Sequence, residues 1–217
     1  RVDVTHEGLG KRILARLVVH AEGTPGDEDE VRVTDYHQHA IVADVGVRGG
    51  HRHRAWERFT PDGPLALLPL DDGYSIVFTV PQEKATRLLA LDDANFLAAL
   101  GEQFGRRMDW ISVGPRASFP LALRVRSPLV RPRQVWIGNA AQSLHPVSGQ
   151  GFNLGLRDAW ELAETLHRHT RARDAGDFAA LADYARGRGL DRRGGMAFTD
   201  GIVRLFSNDI APLKMAR

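Results

Sequence analysis

GNAAQSLHPVSGQGFNLGLRDA, residues 138–159, decides how the rest of the chain is read. Immediately upstream, Gln134-Val135-Trp136-Ile137 is a short apolar run of strand type. It stops at Gly138, a residue that lets backbone approach a ligand closely. Downstream, Phe152, Leu156, Ala159, Ala163 and Leu166 recur at helical spacing, with Gly155 and Leu162 on the flank. This predicts a helix from about Gly151 to about His169 that buries that face. The glycine-punctuated loop therefore delivers the chain to a helix N-terminus. Such a terminus carries unpaired N–H groups and about half a positive charge, a natural seat for an anion or a developing negative charge. Gly149 and Gly151 remove the side chains that would block it.

A flavin ring needs a seat of this kind, because reduction collects negative charge on the N1 and C2 carbonyl edge of the ring. Glycines alone describe an ordinary loop before a core helix equally well. The order of residues says more. The string resembles the second flavin-binding motif of the FAD-dependent aromatic hydroxylases, the para-hydroxybenzoate hydroxylase-like superfamily, with its G-D-A-A-H, Pro, G-x-G-x-N and helical D-A. Gly138 to Gln142, His145-Pro146 and Gly149 to Gly155 look most like the ubiquinone-biosynthesis branch. The likeness continues in Ala55-Trp56-Glu57-Arg58-Phe59-Thr60, Gly63-Pro64-Leu65-Ala66, Leu68-Pro69 and Phe119-Pro120-Leu121.

The resemblance implies that Gly138, Asn139, Ala140, Pro146, Gly149, Gln150, Gly151 and Asn153 contact FAD. Asn139 stands where the family commonly has an Asp bonded to the ribityl hydroxyls, and an amide keeps one acceptor there. Gln142 replaces the common His. Pro146 matches the proline that lines the flavin face, and its ring also stiffens the loop. His145 is either a polar neighbour of flavin or substrate or a histidine that packs the loop. No residue acts as a nucleophile; the catalytic share of Pro146 and His145 is positioning at the flavin face. Asp158 matches the helical D-A and is read as structural support.

The fold expected is α+β: a mostly antiparallel substrate-domain sheet plus the remnant of an FAD-binding α/β domain with a long C-terminal helix region. Residues 1–30 are the expected remnant, 31–127 the substrate domain, and 128–217 the flavin motif with the C-terminal helices. The activity implied is hydroxylation of a lipophilic, polyprenylated phenol with FAD as cofactor, NAD(P)H as co-substrate and O2. The expected place is the cytoplasm, with peripheral association at the inner membrane or with a biosynthetic complex. A flavin-dependent reductase or halogenase of the same fold, and a non-catalytic docking module, are the alternatives. No G-x-G-x-x-G string occurs in the chain. The family uses one to hold the ADP half of FAD. The chain is thus expected to be a C-terminal portion of a longer enzyme, carrying no FAD when alone. Glu22, in His20-Ala21-Glu22-Gly23, stands where a family Asp lies near the pyrophosphate, and equally suits an acidic turn.

Composition narrows the class. The 217 residues, 43% hydrophobic and 26% charged, suit one large or two small globular domains. A net charge of +2 is too small to imply a nucleic-acid partner. The absence of cysteine excludes disulfides, thiolate metal sites and thiol catalysis. Strands are read at Arg1 to Val4, Arg12 to Val19, Tyr36 to Val47, Arg54 to Thr60, Leu65 to Leu70 and Tyr74 to Val80, the last three separated by Pro-Asp-Gly-Pro and Asp-Asp-Gly turns. A short helix follows Pro81, and another opens at the cap Asp92 with Phe96, Leu97 and Leu100 inward. After Asp177 a helix weakened by Gly187, Gly189, Gly194 and Gly195 is expected, then a separate short one from Met196 to Phe206, ended by Asn208, Asp209 and Pro212.

Other constellations read as ordinary surface. His37 with His39 and His51 with His53 pair imidazoles on strand faces without a patterned carboxylate ligand, so no metal site is expected. Arg124, Arg126, Arg131 and Arg133 form a basic run without interleaved aromatics, which suits a solvated loop. Trp56, Phe59, Leu65, Leu67 and Phe119 are candidates to line an apolar groove or to build core.

Overall fold

The computed structural model describes residues 2–6, 9–26, 30–105, 107–169 and 174–206. Period-two runs and tight turns build most of its sheet. The strands are β1 (Val2–His6), β2 (Leu9–Ile13), β3 (Val18–His20), β4 (Val31–Val47), β5 (Trp56–Thr60), β6 (Gly63–Leu70) and β7 (Gly73–Pro81). Helices α1 (Gln82–Leu89) and α2 (Asp93–Phe104) follow, then β8 (Trp110–Val113), β9 (Ala117–Arg126), β10 (Val130–Arg131), β11 (Gln134–Trp136) and β12 (Gln142–Ser143). Helices α3 (Gln150–Arg168) and α4 (Phe178–Phe206) complete the order. By contacts the chain divides into residues 1–34 with 123–198, and residues 35–122 with 199–217. The sequence boundaries lay at 30/31 and 127/128.

The second of these units is a meander. Its strands run β9-β4-β7-β6-β5, with β8 also paired to β4, and the registers of β4 with β7, β7 with β6 and β6 with β5 are antiparallel. Strict alternation sends Ile41, Ala43, Val45 and Val47 of β4 to one face, where they meet Leu65, Leu67, Tyr74, Ile76, Phe78 and Val80. Helices α1 and α2 cover that face with Ala85, Leu88, Phe96, Leu100 and Phe104. Each fully buried Leu, Ile or Phe contributes about 1.5–3 kcal/mol. Asp92 caps α2 by accepting the Asn95 N–H at 2.8 Å, worth about 1 kcal/mol.

The first unit holds a smaller sheet, ordered β10-β11-β3, in which β11 runs parallel to β3 and antiparallel to β10. Helices α3 and α4 pack Leu162, Leu181 and Tyr184 against Leu129, Val135, Trp136, Ala140 and Ala141. β1 and β2 pair only with each other among the described residues. The α+β class expected from the sequence is the architecture observed.

Three details differ from expectation. The run from Arg12 to Val19 divides between β2 and β3, with Leu14 and Arg16 exposed between them. Helix α4 is continuous over 29 residues; its arginines anchor it to neighbouring polar groups, which overrides the helix-weakening glycines. Most of the face of α3 read as buried is exposed: Phe152 is 75% and Leu156 54% exposed, Ala159 and Ala163 also face outward, and Leu166 packs partly against the core. The inward face is Leu154, Asp158, Leu162 and Thr165. Asn208, Asp209 and Pro212 lie outside the described residues. Among the described residues no helix is long and apolar enough to cross a membrane.

Candidate functional site

The site begins where β11 stops. Gly138 takes φ 58°, in the left-handed region that favours glycine, and opens a single 3-10 turn over Gly138–Ala140. Ala140 and Ala141 point into the core, whereas Asn139 is exposed. β12 then pairs with Arg124 and Val125 of β9. A second 3-10 turn, Pro146–Ser148, is capped by His145, whose Nδ1 accepts the Val147 N–H at 3.1 Å. His145 is 1% exposed, and burial pushes its pKa down to about 4, so the ring is neutral near pH 7. The histidine thus holds the turn that presents Pro146, whose ring is exposed.

Gly149 follows at φ 59°, ψ 15° and serves as the N-cap of α3. No side chain caps this terminus, and its first turn contains no acidic residue. The N–H groups of Gln150, Gly151 and Phe152 have no acceptor within the helix. A Cβ built at Gly149 or Gly151 would meet nothing within 4 Å. Asn153 donates to Gln150 Oε1 at 3.5 Å, a long contact on the exposed rim. The result is an open, electropositive seat flanked by Pro146.

Behind the seat sits Asp158. Its side chain is buried, with Oδ2 accepting from the Gly138 N–H at 2.9 Å and from Gln142 Nε2 at 2.6 Å, and Oδ1 accepting from Arg188 Nε at 2.8 Å. Arg192 donates from Nε to Gln142 Oε1 at 2.5 Å, and from Nη2 to the carbonyls of Ala141 at 3.2 Å and Arg126 at 3.3 Å. Arg188 also reaches Asp191 at 2.6 Å. Burial lowers the Arg188 pKa, but the hydrogen bonds to Asp158 and Asp191 outweigh it, and the guanidinium stays charged. Gln142 therefore faces inward. Helix and turn also meet directly: a Cβ on Gly155 would lie 3.3 Å from Gly138 Cα. Arg188 and Arg192 were missed in the sequence, although Leu181, Tyr184, Arg188 and Arg192 follow one helical stripe.

The basic run is not a solvated loop. Arg126 pairs with Glu30 at 3.4 Å and lies 4.8 Å from the Trp136 ring, which stacks on His20 at 4.5 Å. Arg131 also pairs with Glu30, Arg133 bonds Asp174 through both terminal nitrogens, and Arg124 donates to the Pro25 carbonyl. Glu22 contacts His20 at 3.3 Å. His51 and His53 lie in the turn after β4 rather than on a strand, and His37 has φ 56°. Among the described residues no three His, Asp or Glu gather as a metal site. Leu65 and Leu67 are core, which removes them from the groove candidates, while Phe119 is 55% exposed.

A glycine-lined, uncapped helix N-terminus of this kind is a seat for an anionic group. The chain belongs to the family described as FAD binding domain, whose model matches residues 2–189. It is 42% identical over 216 residues to ubiquinone hydroxylase UbiL of Rhodospirillum rubrum, covering 96% of this chain and 50% of that protein. It is 30% identical over 218 residues to the 3-demethoxyubiquinol 3-hydroxylase of Escherichia coli, covering 96% and 55%. The chain thus spans about half the length of these relatives. The fold resembles that of pqsL, a probable FAD-dependent monooxygenase from Pseudomonas aeruginosa, with a TM-score of 0.72 at 21% identity, over 89% of this chain and 57% of that one.

Proposed function

We propose that this chain is part of a flavin-dependent monooxygenase that hydroxylates a lipophilic, polyprenylated phenol in ubiquinone biosynthesis. The carrying observation is the open terminus of α3 beside Pro146 and the Gly138 turn. The hydroxylase names of the relatives support the same reading. The residues present fit a flavin: Gly149, Gln150, Gly151 and Asn153 would border the ring's pyrimidine edge, Pro146 its face, and Gly138, Asn139 and Ala140 the ribityl side. When bound, the flavin supplies two-electron reduction by NAD(P)H and the activation of O2. The overall balance is phenol, O2, NAD(P)H and a proton giving hydroxylated phenol, NAD(P)+ and water.

The share of this chain is binding and orientation. N–H groups at the start of α3 stabilise negative charge where it collects on the ring. His145, neutral and buried, holds the Pro146 turn rather than exchanging protons with solvent. Of the groove candidates, Phe119, exposed on β9, and the partly exposed Phe59 would take the phenol and its tail. Peripheral association with the inner membrane or with partner enzymes, on the cytoplasmic side, fits so apolar a substrate.

The test uses the complete protein. It should purify with stoichiometric FAD, oxidise NAD(P)H faster when a polyprenylated phenol is added, and give a product heavier by one oxygen. Flavin-coupled NAD(P)H oxidation with no hydroxylated product, or a brominated or chlorinated product with halide, would replace this reading with the reductase or halogenase alternative.

A further inference from the structure

Four polar side chains lie behind the seat without facing it. Gln142, Asp158 and Arg188 are 3%, 0% and 3% exposed, and Arg192 is half-buried. A buried ion pair is a poor stabiliser compared with apolar packing, but it is a good device for fixing register. Most of the bonds here end on one short segment. Asp158 takes the Gly138 N–H and the Gln142 amide, and Arg192 takes the other end of that amide together with the Ala141 carbonyl. Gln142 is therefore held at both ends of its side chain.

Asp158 belongs to the helix whose first turn forms the candidate seat, eight residues beyond Gln150 or about 12 Å along the axis. One carboxylate thus ties the helix that carries the ring-side N–H groups to the turn that carries Gly138, Asn139 and Ala140. A Cβ added to Gly155 would lie only 3.3 Å from the Gly138 Cα, which leaves little slack between helix and turn.

We propose that Asp158, held by Arg188 and assisted by Arg192 through Gln142, is a positioning residue that sets the spacing between the Gly138–Ala140 turn and the N-terminus of α3, and so tunes flavin affinity and reduction potential. This rests on the flavin reading above. An Asn at position 158 keeps the shape but exchanges one acceptor oxygen for a donor, so it cannot accept all three hydrogen bonds. Arg192→Gln removes the charge and two of its reaches from a half-buried position.

The experiment takes the complete wild-type protein, Asp158→Asn, Arg192→Gln and the control Arg157→Gln, whose exposed side chain pairs only with Asp191 among the ion pairs described. Each is measured for melting temperature, for the FAD dissociation constant of the folded apoprotein, and for flavin reduction potential. Asp158→Asn and Arg192→Gln should weaken FAD binding about tenfold or more, with a displaced potential, while the control matches wild type. Lower melting temperatures with wild-type affinity and potential in the folded fraction would overturn the proposal and leave Asp158 a structural group. If Asp158→Asn does not fold, Arg192→Gln decides. Wild-type protein that takes up no flavin would instead overturn the flavin reading itself, a result distinct from either outcome in the variants.

Discussion

Replacing His145 with asparagine should flatten the acid side of the protein's stability profile. His145 is 1% exposed, and burial holds its pKa near 4, against about 6.5 when unfolded. In the folded chain the ring is neutral above about pH 4, with Nδ1 accepting the Val147 N–H. The unfolded chain begins to bind a proton as pH drops through 6.5. Its contribution is therefore complete above pH 6.5, shrinks as pH falls, and is lost by about pH 4. Between pH 7.5 and 4.5 the loss amounts to about 2.5 kcal/mol. Asparagine keeps a side-chain oxygen suited to capping a turn but does not titrate. Urea unfolding of both proteins at the two pH values isolates the effect, because the other histidines are common to both and cancel in the double difference. Wild type should lose about 2.5 kcal/mol more than the variant on acidification. Equal losses, with a His145 ring titrating near 6.5 by NMR, would refute the reasoning.

Gly151→Val in the complete protein should lower flavin occupancy while leaving the melting temperature nearly unchanged, since its Cβ enters open space and valine differs from glycine in a helix by only a few tenths of a kcal/mol; absorbance of the purified variant at flavin wavelengths reads it. Gly155→Ala places a methyl group 3.3 Å from the Gly138 Cα and should cost about 1–3 kcal/mol in denaturant unfolding. Trp160→Ser, at 71% exposure, should change stability by no more than about 0.5 kcal/mol, whereas Leu65→Ala in the meander core should cost about 2–5 kcal/mol. A large loss at Trp160 would contradict its outward placement on α3.

Much of the meander was legible because its signals are local. Gly63 and Gly73 close turns between β5, β6 and β7, and the alternation of Ile41, Ala43, Val45 and Val47 needs no distant partner to be seen. The existence of α3 was equally plain, but its orientation was not. Phe152, Leu156, Ala159 and Ala163 form a more continuous apolar stripe than Leu154, Asp158, Leu162 and Thr165, and periodicity has no means of recognising a carboxylate that is buried because its partners are already in place. Its partner Arg188 lies 30 residues further on, and Arg192, which is tied to Asp158 through Gln142, lies 34. The basic run failed for the same reason, since Arg133 finds Asp174 and Arg126 finds Glu30 only after folding. Of the candidate site, the turn and the helix start were readable as a string, whereas the polar network behind them was visible only as scattered arginines.

The approach of Gly138 to Gly155 has a consequence for how this site can diverge. In most cores a bulkier residue on one side is accommodated by trimming its neighbour. Here both positions already lack a side chain, and Gly138 is further committed by its left-handed backbone. No compensating substitution exists within the pair, because neither residue has anything left to give up. Change at this contact must proceed by moving α3 bodily, and the N–H groups at its start would travel with it. A descendant of this chain that enlarges Gly155 therefore shifts its candidate anion seat at the same step, even though Gly155 lies more than a turn beyond that seat.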